Sequence, residues 1–465
     1  MSFLEKVSKI NNDPSIYGTF AEIGAGQEVA HAFFQVGRAS STIAKTMSAY
    51  DMKFSDAIYG EGKSYVCERR LQKMLTHEYE LIVSRLKNRA EFTRFFVFAD
   101  TVATGSQRKK IPGHGWLGVT FQHKPGAKIS QVCLHVNFKP HSPLQQHRAV
   151  GEMGVNILYG CFHHYNNIHD FLSSVTEDFD LDSMEMDYIK FSGEVFSHID
   201  QRSVAIELVK RGLTRSVIFN EQGLPKPPSV LLYKKHIAAT QGSFLPLTSS
   251  KWKLMSSGAK NHQTKHGLTD DEILQLAGIS VQSLYHQGEF DLDALYFRID
   301  MLSQMNICVM VSDFSSDFSL IQRLNHYSTF SKALVVGSHS LTKVLDESHY
   351  QHLTGGLLEA LGMMVSQNTT LYIYPVKFPG RDLLGSESVF LCQNKRMLLD
   401  YLKATGLCYE LPRELADSDV LDYYSSELVR ELVYAGQSWH KYVPKKIIPL
   451  IEQNKALLHK QMVSK

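Results

Sequence analysis

The chain of 465 residues contains no apolar run long enough to cross a bilayer as a helix, which sets aside a helical membrane protein. Its opening segment, MSFLEKVSKINND, lacks the apolar core of a signal peptide, so a cytoplasmic protein is expected. The six cysteines (Cys67, Cys133, Cys161, Cys308, Cys392 and Cys408) form no CxxC pair, and their mostly apolar surroundings point to buried free thiols. A net charge of +2, from 49 basic and 47 acidic residues, gives no electrostatic case for nucleic acid or an anionic membrane as partner. There is no internal repeat and no low-complexity tract.

What is present has ordinary globular proportions, 43% hydrophobic and 21% charged. That length exceeds what one core usually serves, so two or three domains are expected. The first half reads as mixed α+β. Residues 20–23 are strand-like, 66–89 carry helical periodicity, and 95–102 read as a buried strand with Asp100 at or just beyond its end. Residues 116–122 and 131–138 suggest an antiparallel pair. Residues 144–164 read as a helix with Ala149, Gly151, Gly154 and Gly160 where another element packs closely, and 186–191, 216–220 and 230–234 as short strands.

Residues 242–267 are polar, Ser-rich and without periodicity, which suggests a linker between domains 1–241 and 268–465. Beyond it, strands near 307–312, 333–337 and 370–374 alternate with helices, the pattern of a parallel sheet. Residues 394–460 read as helical. The fold class expected is therefore a mixed α+β N-terminal domain followed by a parallel-sheet α/β domain with a helical tail.

The densest chemistry lies in residues 17–59. FAEIGAGQEVA (20–30) reads as strand, glycine turn and helix, an order that brings phosphate or ribose close to backbone N–H groups. Glu22, Gly24 and Gly26 give the Glu-x-Gly-x-Gly of S-adenosylmethionine-dependent methyltransferases. They also give a dinucleotide fingerprint whose third glycine is replaced by Val29. The segment between Glu28 and Asp51 does not read as a strand, and a plain tight turn is the structural alternative.

In residues 42–56, Lys45 suits a phosphate, and Asp51 with Asp56 suits a hydrated divalent metal such as Mg²⁺. The alternative is a helix with a solvated charged face, since the GxxxxGK(S/T) spacing of a P-loop is missing. His114, in PGHGW, reads as a catalytic candidate in a glycine-flanked loop before a strand. No histidine pair has zinc-motif spacing. In the second half, Asp313, Ser338 and His339 follow strands where ligands of parallel sheets gather. Gly355 and Gly356 open a helix containing Glu359, an anion site or simply a cap.

The set FAEIGAGQEVA, SAYDM, SDAIYG, FADTVA, HGWLG, GVNILYG and GGLLEALG resembles a bacterial family of similar length, over nearly the whole chain. Its members carry the names nicotinate-nucleotide adenylyltransferase and TonB-dependent receptor. The second name implies an outer-membrane barrel, whose strand patterning is missing here. The first implies ATP, Mg²⁺ and nicotinate mononucleotide. The HxGH and ISSTxxR motifs of such nucleotidylyltransferases are missing, and His114-Gly115-Trp116 is a superficial echo, so the resemblance transfers no catalytic residue.

Three functions stay open. In the first, a nucleotidyl-transfer enzyme holds a nucleotide-like ligand at Glu22, Gly24 and Gly26, with catalytic Lys45, Asp51 and His114 and with Mg²⁺ on Asp51 and Asp56. Gly355 and Gly356 are its second candidate cofactor contact. In the second, a methyltransferase-like enzyme uses the same turn for S-adenosylmethionine. In the third, a non-catalytic sensor or assembly subunit uses its glycines for packing. A small-molecule ligand is the expected partner, and homo-oligomerisation stays open.

Overall fold

The computed structural model describes residues 1–24, 27–62, 64–105, 113–139, 142–177, 183–366, 368–380, 382–412 and 423–460. The chain forms two compact units, 1–214 and 215–465. Both are mixed layers of helix and sheet, as the sequence pattern implies.

The first unit is built on six strands: β1 (Ile16–Ile23), β2 (Ile43–Ser48), β3 (Arg94–Ala103), β4 (His114–Phe121), β5 (Ser130–Phe138) and β6 (Met184–Gly193). Their order is β2-β1-β3-β4-β5-β6. β2, β1 and β3 run parallel, whereas β3 through β6 are antiparallel neighbours. Helix α1 (Phe3–Asn11) precedes the sheet, started by a capping box between Ser2 and Glu5. Helix α2 (Glu28–Val36) links β1 to β2, and α3 (Met52–Tyr59) and α4 (Glu68–Arg85) lead from β2 to β3 on the far side of β1. The chain thus leaves the central strand first one way and then the other, and the crevice where such a sheet takes its ligand lies beyond Ile23 and the end of β3.

The helices cover opposite faces because the strand residues alternate. Leu71, Met74 and Leu75 of α4 pack on Ala21, Val97, Ala99 and Trp116. On the other face Phe20 meets Phe33 of α2 and Phe96 and Phe98 of β3. Each such aromatic, fully buried, contributes roughly 1.5–3 kcal/mol before conformational entropy is subtracted. Helix α5 (Pro143–His163) lies against α2 through its small residues: a Cβ on Gly151 would come 2.6 Å from Glu28, and one on Gly154 2.4 Å from Val29. That close approach seats the start of α2 over the end of β1. Helices α6 (Ile168–Val175) and α7 (Gln201–Lys210) complete the unit.

The second unit has an eight-stranded sheet of β7 (Ser216–Phe219), β8 (Pro225–Lys226), β9 (His236–Gln241), β10 (Ile273–Ser280), β13 (Cys308–Ser312), β14 (Lys332–Gly337), β15 (Thr369–Tyr374) and β18 (Cys408–Glu410). Two hairpins stand apart from it, β11 (Tyr285–His286) with β12 (Glu289–Phe290), and β16 (Val376–Lys377) with β17 (Leu383–Leu384). Helices α8 (Pro228–Leu231), α9 (Ser249–His266), α10 (Leu292–Gln304), α11 (Asp317–Tyr327), α12 (Leu341–Val344), α13 (Gly356–Met364) and α14 (Gln393–Ala404) connect the strands. The order is β18-β15-β14-β9-β10-β13-β7-β8. Counted among the parallel strands alone, it is 6-5-4-1-2-3, the doubly wound arrangement of dinucleotide-binding sheets. Its switch point falls between β9 and β14.

Several local expectations give way. Residues 249–266, inside the expected linker, are helix α9, capped by Thr248 and stopped by Gly267 in the left-handed region. The boundary between units falls at 214/215, and residues 215–241 supply β7, β8 and β9 to the second sheet. The segment after α2 is not a charged helix but the edge strand β2, whose half-buried and exposed residues alternate strictly. Asp100 lies inside β3, and His114 is the first residue of β4 and not a loop residue. Residues 228–231 form a helical turn where a strand was expected, and the tail contains strand β18.

Candidate functional site

At the carboxyl end of the first sheet, Glu22 of β1 stands in register with Asp100 of β3, and Ser48 of β2 flanks Glu22 on the other side. Glu22 is 2% exposed and Asp100 fully buried. Both side chains fall on the α2 face, because Ala21 and Ala99 face α4. Glu22 Oε1 accepts the N–H of Ala30 in the first turn of α2 at 3.3 Å, and Asp100 Oδ1 accepts the N–H of Ile23 at 3.2 Å. Asp100 Oδ2 is buried with no hydrogen-bond partner among the described residues.

Two carboxyls held this way resist ionisation. Burial, opposed by the α2 N–H groups and reinforced by Glu28, pushes Glu22 up to about 8. Burial first, and then Glu22 itself, raises Asp100 well above the ordinary carboxylate range. The pair therefore retains at neutral pH a proton that an exposed carboxyl would have lost. Gly24 follows directly with φ +90°, and a Cβ there would lie 1.9 Å from the carbonyl oxygen of Val102, so the turn crosses the end of β3 at backbone contact. Gly26 lies outside the described residues.

On the opposite face of the same sheet end, His114 and Ala103 pair across β3 and β4. His114 Nδ1 is 3.2 Å from His135 Nε2, and His135 Nδ1 is 2.6 Å from Asp187 Oδ1. Asn137 donates to the other Asp187 oxygen at 2.6 Å. With Asp187 accepting from Nδ1, His135 offers its Nε2 lone pair to the Nδ1–H of His114, which leaves His114 Nε2 as an acceptor. Burial, and then His135, lowers His114 to about 4, so its ring is neutral at pH 7. The sequence presents these residues separately. Only the antiparallel register of β4, β5 and β6 aligns them.

The remaining candidates are already engaged. Lys45 forms an ion pair with the buried carboxylate of Glu78, which also accepts from Tyr59 Oη at 3.0 Å. Asp51 caps α3 by accepting from the N–H of Phe54 at 2.8 Å. Asp56 is held by Arg70 at 2.6 Å and by Tyr65 Oη at 2.7 Å. Asp51 and Asp56 are thus each held by other groups of the chain, and among the described residues no cluster of three or more His, Cys, Asp or Glu is arranged to hold a metal. In the second unit the Gly355 N–H goes to Glu359 at 2.7 Å and the Gly356 N–H to the Leu353 carbonyl, so these two N–H groups are taken by the chain itself.

Asp100 carries the strongest sequence signal among the residues not assigned a role in advance, a charge inside the apolar run FFVFADTV. His135 and Asp187 have weaker signals, polar residues alternating within strands.

No protein-family model and no curated protein matches this chain. Among solved structures it is similar to a nicotinic acid mononucleotide adenylyltransferase of Plasmodium falciparum complexed with APC, at 14% identity and TM-score 0.30, over 49% of this chain and 99% of that one. It is also similar to the competence/damage-inducible protein CihA of Agrobacterium tumefaciens, at 16% identity and TM-score 0.26, over 35% of this chain and 99% of that one. A CinA superfamily protein of Klebsiella pneumoniae gives 14% identity and TM-score 0.26, over 34% of this chain and 96% of that one. Likenesses of this size bear on neither ligand nor reaction.

Proposed function

We propose that the chain is an enzyme acting on a nucleotide-like or phosphorylated ligand at the carboxyl end of the first sheet, with Glu22 and Asp100 as its proton donor. The observation that carries this reading is the in-register pair of buried carboxyls, one oxygen of which has no partner among the described residues. They sit where a glycine turn and a helix start would bring a ligand to the backbone. The pair delivers its proton to an oxygen of the ligand on which negative charge develops, and the α2 N–H groups stabilise the carboxylate left behind. His114 Nε2, neutral and oriented through His135 and Asp187, is a hydrogen-bond acceptor at the same sheet end. Nucleotidyl transfer in nicotinate-nucleotide metabolism is the specific reaction the family resemblance implies. No step is assigned to Mg²⁺, because Asp51 and Asp56 are committed elsewhere.

The β1–turn–α2–β2 unit also supports the methyltransferase-like reading, since β2 supplies the parallel strand that such a cofactor site requires. Native mass spectrometry of the purified protein, then denaturation and identification of what is released, separates the two. A released nucleotide supports the first reading and an S-adenosyl compound the second. A protein that carries neither, and that binds neither ATP nor S-adenosylmethionine on titration, overturns both in favour of a sensor or assembly role.

A further inference from the structure

In the second unit, four buried polar atoms have no partner among the described residues and belong to residues at or near the carboxyl ends of β9 and β14. They are Thr240 Oγ1 and Gln241 Oε1 at the end of β9, His339 Nδ1 just after β14, and Arg430 Nε. Polar atoms are rarely buried unpaired, and of these four Arg430 borders a cavity beside the switch point while His339 packs against Tyr423, which borders it too.

The turn that leaves β9 has no glycine-rich fingerprint. It is instead held by cations: Lys251 Nζ donates to the Gln241 carbonyl at 3.1 Å, Arg298 Nε to the Ser243 carbonyl at 2.8 Å, and Arg430 Nη1 to the Leu245 carbonyl. Lys251 and Arg430 border a cavity of about 260 Å³ together with Ser243, Thr248, Ser426 and Tyr423. Glu427 also borders it and offsets part of the Arg430 charge. Burial brings Lys251 down to about 8, against the attraction of Asp317, and Arg298 down to about 10, with Arg430 adding repulsion. Asp317 and Glu427 face these cations, and what the cavity still lacks is an acceptor for the buried Arg430 Nε–H, which has no partner among the described residues; a phosphate oxygen supplies one with geometry suited to hydroxyls and guanidinium alike. The His339 ring lies 4.6 Å from that of Tyr423, tilted by 48°, with Phe378 edge-on to it, which gives a planar group aromatic neighbours.

We propose that the second unit binds the phosphate of a nucleotide-class ligand in this cavity, with Lys251 and Arg430 taking the place of a glycine-rich phosphate loop. The site is built from residues of the second unit alone.

Calorimetric titration of the full chain with ADP, NAD⁺ and inorganic pyrophosphate tests this. ADP or NAD⁺ is expected to bind, Lys251→Met and Arg430→Met each to weaken binding at least about tenfold, and Lys251→Arg to restore most of it. Should the Met variants not fold, acylation of the wild type read by peptide mass spectrometry gives an independent answer: ADP is expected to shield Lys251. Three results overturn the proposal: none of the probes binds or shields Lys251, only pyrophosphate binds, or nucleotide binding survives in Lys251→Met and Arg430→Met but is lost in Glu22→Gln.

Discussion

Glu22 and Asp100 each sit where water does not reach, and an ionised carboxylate there costs more than a neutral acid. Because the unfolded chain ionises Glu22 in the ordinary range while the folded chain resists until about pH 8, the native state binds more protons between those limits. Stability from this group is full below the ordinary carboxylate range and declines as pH rises toward 8. Glu22→Gln should therefore raise the unfolding free energy read from urea denaturation at pH 8, by several kcal/mol, and change it little at pH 4. The same variant should reduce activity by roughly 10²–10⁴-fold, the usual worth of a general acid. Asp187→Asn leaves one acceptor oxygen where two are used, so His135 and Asn137 cannot both be satisfied. It should cost about 2–4 kcal/mol in chemical denaturation, because one of the two buried donors is left without an acceptor. Glu22 was legible in the sequence from its place before the glycine turn. The role of Asp100 was not, because nothing local says which strand lies beside β1.

Elements were legible where period and length agreed. The apolar spacing of α4 and the small-residue stripe of α5 both correspond to what those helices bury. Two failures have physical causes. Helix α9 buries only a few residues of a Ser- and Lys-rich segment, so its stripe is too sparse to stand out in SSKWKLMSSGAKNHQTKH. Strand β2 is an edge strand with one wet face, and its Lys45, Thr46 and Ser48 look like a charged helix until Gly18 and Glu22 are seen pairing with it. At this scale Gly24 is the decisive position. Gly24→Ala must adopt φ +90° and place a Cβ against the Val102 carbonyl, so a loss of about 2–4 kcal/mol in thermal or urea unfolding is expected, with loss of ligand binding. Gly37→Ala makes the comparison, since its φ is +87° but nothing lies within 4 Å of an added Cβ, so the smaller loss expected there measures strain alone.

The strand orders of both sheets arise from pairings between residues far apart in sequence, such as β9 with β14, which no local pattern encodes. A parallel second sheet could be anticipated from alternation of strand and helix, whereas its 6-5-4-1-2-3 order could not. The molecule as a whole also carries two opposed pH dependences. His114 and His339 are held neutral to about 4 and His262 to about 3, each chiefly by burial. The unfolded chain takes up protons on these rings below pH 6.5 while the folded chain does not, so stability is lost as pH falls from 6.5 toward 4. Glu22 works the other way, its contribution declining from the ordinary carboxylate range up to about pH 8. Urea midpoints across pH 4–9 should therefore peak between about pH 5 and 7 and fall on both sides. His262→Gln should flatten the acid limb and Glu22→Gln the alkaline one.

The shared proton on Glu22 and Asp100 is tested most directly by a carbon-13 NMR titration of the side-chain carboxyls in wild type and in Glu22→Gln. A carboxyl resonance that titrates near pH 8 in the wild type and is missing in the variant is the expected result. Carboxyls that all finish titrating below about pH 5 would mean that the pair is ionised at neutral pH, and would contradict its assignment as a proton donor.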